Sequence, residues 1–129
     1  MKSFFFIILV VISLHAEHVQ WWANYDAAHQ EALKTGKLLM VLLVENNCSS
    51  CDKILEITFL NQPYISTINK KYVSVIVKKG QKQSYPLEML YSMTYPAIFF
   101  LNQEELFVGE NIFGYIRPEE FEEHLRKEF

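Results

Sequence analysis

The chain has 129 residues, of which 50% are apolar and 21% charged, and a formal net charge of −3. That length holds a single domain, and that apolar share excludes an intrinsically disordered chain. Four glycines and four prolines exclude collagen-like or linker-dominated architecture, and the lack of a basic surplus argues against a nucleic-acid binder.

Residues 1–16 stand apart from the rest. Lys2 precedes an unbroken apolar run over 4–12, followed by Ser13-Leu14-His15-Ala16. A charged start, a short apolar segment and a small residue at the cleavage point predict a secretory signal peptide ending near Ala16. The run falls short of the roughly 20 apolar residues of a membrane-spanning helix; an uncleaved anchor is the competing reading. Without this segment the balance is −4, because Lys2 leaves with it and all 15 acids remain. The domain then spans 17–129, long enough to bury about two-thirds of its unfolded surface.

Trp21-Trp22-Ala23-Asn24 introduces a helix over Tyr25–Thr35, with Asn24 as N-cap and Gly36 as the stop. Leu38–Val44 is an uninterrupted apolar run, too short for a lone helix, and reads as a strand buried on both faces. Glu45-Asn46-Asn47 is a polar turn. Over 49–60 the pattern Ile54, Ile57, Phe59, Leu60 suits a helix packed on the sheet, and 64–70 reads as another, short helix. Residues 72–77 form a second strand, 78–84 a polar loop and 86–91 a short helix. Ala97–Leu101 is a third strand, 102–105 a turn, and 106–112 a fourth strand hairpinned to the third. The closing helix covers 118–129, with Phe121, Leu125 and Phe129 on one face. The order α-β-α-β-α-β-β-α predicts an α/β fold with a central mixed sheet and helices on both faces.

The chemistry lies in Cys48-Ser49-Ser50-Cys51, which follows a buried strand and opens a helix. Two cysteines this close close too short a loop to stabilise the fold much as a disulfide. At the helix start, however, unpaired backbone N–H groups and the dipole favour a thiolate at Cys48. Cys51, one turn further in, is placed to resolve a mixed disulfide formed at Cys48. A zinc site would need two further ligands, and His18, His29 and His124 do not pair at ligand spacing. No metal or cofactor is expected. No Gly-rich phosphate loop occurs either, which argues against nucleotide use.

Three segments together resemble the thioredoxin superfamily over residues 20–129. They are the strand and motif from Leu38 to Cys51 with Thr58-Phe59 following, then Thr94-Tyr95-Pro96-Ala97-Ile98-Phe99-Phe100, and finally Phe113-Gly114-Tyr115 with Pro118-Glu119-Glu120-Phe121. Within the superfamily they are most similar to periplasmic thioredoxin-like domains such as the C-terminal domain of the membrane thiol:disulfide interchange reductase. The resemblance implies a thioredoxin fold and a thiol:disulfide oxidoreductase with Cys48 as nucleophile and Cys51 as resolving cysteine. It further implies a cis-proline loop at Pro96, with Tyr95 offering backbone groups to an extended substrate, and a turn glycine at Gly114.

Together with the leader it implies a periplasmic monomer acting on cysteine pairs of other exported proteins. A membrane protein would supply its electrons. The reductase direction is preferred; a disulfide-introducing oxidase and a non-catalytic interaction module are the alternatives. Three departures from the family pattern stand out. Asn47 occupies the position where many relatives have Trp, and Leu42 replaces the buried acid that thioredoxin carries six positions before its first cysteine. Ser49-Ser50 matches neither Gly-Pro nor Pro-His, so redox poise is left open. Glu45 is either a substitute base or a solvated turn carboxylate. Lys78, Lys79 and Lys82 form either a basic rim or a plain polar loop.

Mass spectrometry of the exported protein should find a mature N-terminus near Glu17. An intact chain held in the membrane would favour the anchor.

Overall fold

A computed structural model describes residues 17–81 and 88–128; residues 1–16, expected to be a signal peptide, and Lys82 and Phe129 lie outside them. Among the described residues no helix is long and apolar enough to cross a membrane. The elements are β1 (Trp21–Trp22), α1 (Tyr25–Thr35), β2 (Leu38–Val44), α2 (Ser49–Lys53) with a π-helical continuation (Ile54–Thr58), α3 (Ile65–Lys71), β3 (Tyr72–Lys78), β4 (Ala97–Leu101), β5 (Ile112–Phe113) and α4 (Pro118–Lys127). The sheet runs β1-β3-β2-β4-β5. β1 and β2 lie parallel to β3, while β4 is antiparallel to both β2 and β5. This is the thioredoxin fold expected from the sequence.

β2 is the centre of the molecule. Its even and odd positions feed two cores. Leu39, Val41 and Leu43 pack with Tyr25, Ala28 and Ala32 of α1, where the two alanines let the helix approach the sheet closely. Met40 and Leu42 pack on the other face with Ile54, Phe59, Ile65, Phe121 and Leu125. α1 therefore covers one face, and α2, α3 and α4 cover the other. α1 has the caps its sequence announces. Asn24 Oδ1 accepts from the Ala27 N–H at 2.9 Å. Gly36 adopts a left-handed φ of 74° and donates its N–H to Ala32, a conformation that favours glycine.

Four expectations are corrected. Trp21-Trp22, read as a lead-in to the helix, is an edge strand whose Trp21 ring meets Phe59 edge-on at 5.3 Å. The helix over 49–60 is α-helical only to Lys53, then widens to a π turn in which the Phe59 N–H bonds Ile54 O. The extra residue in that turn carries Thr58 inward, fully buried, and leaves Ile57 39% exposed. The strand expected over 106–112 forms one bridge at Phe107 and then only β5. The chain leaves the sheet at Gly109, whose φ is 71°, and Asn111 Oδ1 takes the place of a backbone acceptor for the Phe100 N–H. Of the helix expected over 86–91, residues 86–87 lie outside the described part, 88–90 are turn and bend, and 91 is irregular.

Two side chains generate stability predictions. His124 stacks on Phe100 with ring centroids 5.0 Å apart, and its Nε2 is buried without a partner. Burial lowers its pKa below 6.5, outweighing the opposing pull of Glu128 and Glu110. Below pH 6.5 the unfolded chain takes up a proton that the folded chain resists, so this site's contribution is lost as pH falls. His124→Phe should lose less stability than the parent between pH 7 and pH 5 in urea melts. An equal loss in both would acquit His124. Thr58 Oγ1 donates to Ile116 O at 2.6 Å, so Thr58→Val should cost about 1 kcal/mol. An unchanged urea midpoint would show that this bond adds no net stability.

Candidate functional site

Strand β2 delivers the chain to one end of the sheet, and the turn at 45–47 redirects it into α2. Asn47 holds a left-handed φ of 53° there, a region that Asn enters more readily than most side chains. Cys48 follows as the N-cap with extended backbone, and its Sγ accepts the Cys51 N–H at 3.1 Å. The two cysteines are joined by a disulfide across Cα atoms 5.2 Å apart. Their exposure differs sharply. Cys48 is half-buried, whereas Cys51 is 3% exposed beneath the first turn. Ser49 is exposed and Ser50 half-buried between them.

The register of the sheet brings the second segment to the same end. Because β4 runs antiparallel to β2, its first residue, Ala97, pairs with Leu43. Pro96 therefore arrives beside the turn that leads to Cys48. The Tyr95–Pro96 bond is cis, Pro96 is buried and Tyr95 half-buried. The Pro96 carbonyl accepts the Gly114 N–H at 2.7 Å, and Gly114 has a left-handed φ of 85° that a side chain would strain.

Strand β3 also ends here: Lys78 pairs with Val44, and the Lys79 N–H bonds Val44 O at 2.8 Å. Lys79 Nζ lies 5.4 Å from the Tyr95 ring centre and 3.9 Å from the Glu45 carboxylate. On the opposite side Lys53 Nζ sits 4.4 Å above the Tyr115 ring. Two cations thus flank the end of the sheet that bears the disulfide.

Among the described residues no acid is buried near Cys51. Leu42 is wholly buried, and the buried polar side chains among the described residues are Thr58, Ser74 and Ser92. Glu45, with its side chain 37% exposed, faces Lys79 at 3.9 Å. The histidines lie apart. His18 bridges to Leu60, His29 meets the 102–105 turn through Gln103 O and Glu105, and His124 lies on Phe100. Among the described residues no three His, Cys, Asp or Glu side chains gather into a metal-binding group.

The sequence reading missed the loop before Tyr95. Ser92 Oγ both donates to Thr94 O at 2.5 Å and accepts the Thr94 N–H at 3.1 Å. That closed turn holds Met93 86% exposed and Tyr91 68% exposed. The alternation Tyr91-Ser92-Met93-Thr94 was the available signal.

Comparison with solved structures returns the same fold at low sequence identity. A thioredoxin from Thermus thermophilus matches with a TM-score of 0.66 and 21% identity, covering 85% of this chain and 86% of its own. The DsbH oxidoreductase matches at 0.63 with 14% identity, covering 85% and 83%. The oxidised C-terminal domain of Neisseria meningitidis DsbD matches at 0.59 with 16% identity, covering 81% and 91%. No curated sequence matches. A family model described as a thioredoxin-like domain matches residues 25–128. A fold of this kind, with its C-x-x-C pair closed as a disulfide at a helix start, is that of a thiol:disulfide oxidoreductase. The chain belongs to the thioredoxin-like domain family.

Proposed function

We propose that this protein is an exported, periplasmic thiol:disulfide oxidoreductase that reduces disulfides in other exported proteins. It acts as a monomer and is itself reduced by a membrane electron-donor protein. The observation that carries the reading is the unequal exposure of the two sulfurs: Cys48 is within reach of a partner, and Cys51 is not. The segments shared with the C-terminal domain of the membrane interchange reductase favour the reducing direction over the oxidising one.

In the proposed cycle Cys48 thiolate attacks one sulfur of a substrate disulfide, and the other substrate sulfur leaves as a thiolate. Cys51 then loses its proton and attacks Cys48 Sγ. The mixed disulfide breaks, the second substrate sulfur departs as a thiolate, and the Cys48–Cys51 disulfide re-forms. Two electrons have passed to the substrate, and the membrane donor restores them. Tyr95 and Pro96 present the backbone edge along which the substrate segment lies. With Leu42 in place of an acid, the Cys51 proton leaves to water or to Glu45, which slows the second step.

Cys51→Ser should accumulate covalent complexes with substrate proteins on non-reducing gels, and Cys48→Ser almost none. Equal trapping by both variants would overturn the assignment. If neither traps and both retain function in the cell, the dithiol is not the active element and the protein is an interaction module. A strongly oxidising equilibrium of the pair against glutathione would reverse the direction to that of an oxidase.

A further inference from the structure

Tyr95, the residue before the cis proline, also lines an open cavity of about 380 Å³. Its floor is Leu43 and Leu90, both nearly inaccessible, and its walls are Tyr91, Met93 and Tyr95. Lys79 at the rim is its only charged lining residue among those described. The lysine's carboxylate neighbour, Glu45, is 3.9 Å away, and both side chains are solvated. Such a contact contributes little, so Lys79 remains open to a second carboxylate.

The position of this cavity is set by the sheet. Leu43 belongs to the core on the α1 face, whereas the helix continuing from Cys51 packs through Ile54 into the core on the opposite face. The segment ending at the cis peptide lies at the common end of the two. An extended chain that reacts at Cys48 and runs across Tyr95 therefore carries a side chain over the cavity a few residues from its cysteine. Alternate side chains of an extended segment point the same way, which gives the cavity a defined register with the reacting residue.

Resting on the function proposed above, we infer that this cavity is a specificity pocket. It selects substrate segments in which a large apolar side chain, with a carboxylate beside it, lies a few residues from the reacting cysteine. The occupant's chemistry follows from the lining. Apolar walls of this size accept one bulky side chain and gain by its desolvation. Met93 and Tyr91 supply adaptable, polarisable contact area and are the most exposed large apolar residues described. The lysine at the rim, only weakly engaged by Glu45, draws an acid and repels a base.

The test uses the reduced protein and a series of synthetic cysteine peptides blocked as mixed disulfides with thionitrobenzoate. Near the cysteine, at each offset along the peptide, they carry Phe-Glu, Phe-Lys, Gly-Glu or Gly-Lys. At the best offset, second-order rates should favour Phe over Gly about tenfold, and Glu over Lys several-fold at low salt, the latter shrinking as salt rises. Within each variant, the Phe-to-Gly ratio should collapse towards one in Met93→Ser/Tyr91→Ser. The Glu-to-Lys ratio should do so in Lys79→Gln. Equal rates for all four peptides at every offset, with normal reduction of dithionitrobenzoate, would overturn the pocket and leave the proposed function standing. Failure to reduce even dithionitrobenzoate would overturn that function instead. Preferences that persist unchanged in both variants would place the selection elsewhere on the surface.

Discussion

The reactive end of the molecule depends on one strand being held from four sides. β2 is hydrogen-bonded along both edges, to β3 and β4, and packed on both faces by the two cores. Its seven residues leave no polar side chain to satisfy and no edge open to water. That rigidity fixes where the chain emerges, and hence where Cys48 begins the next helix. Register then brings Pro96 and Lys79 to the same end, where the Gly114 N–H bonds the Pro96 carbonyl.

The two faces of the sheet are used differently. Cys51 is buried in the first turn of α2, and the helix continues into the three-helix face, whose core runs from Ile54 to Phe121. The α1 face is thinner, closed by two alanines against the strand, and leaves room at its end for an open depression. Thr58 and Lys53 attach the disulfide-bearing helix to the segment after Gly114, one through a hydroxyl bond and one over the Tyr115 ring. The chain thus closes around the redox pair from three separate stretches of sequence.

The parts legible in the sequence were those with a one-to-one physical signal. The apolar run at 38–44 admitted only a doubly buried strand, and Asn24 and Gly36 bracketed α1 at its true ends. The cysteines were legible because spacing, strand and helix start all pointed one way. The π turn was not, since one added residue rotates the inward face from Ile57 to Thr58 and leaves no mark on composition. β1 was too short to show any alternation, and β5 was cut down by a left-handed glycine and by an Asn side chain replacing a backbone partner. The loop at 91–94 escaped because exposed tyrosine and methionine look, in sequence, like core.

The turn at Ser92 is closed from within: one hydroxyl occupies both backbone groups of Thr94, and the residue between them contributes nothing to that closure. The loop's shape is thereby uncoupled from the identity of its tip. Drift at position 93 leaves the scaffold untouched while altering the face shown to a partner, as in a recognition loop on an antibody framework. A lineage can retarget this rim, or an engineer can diversify it, without reopening the question of whether the protein folds.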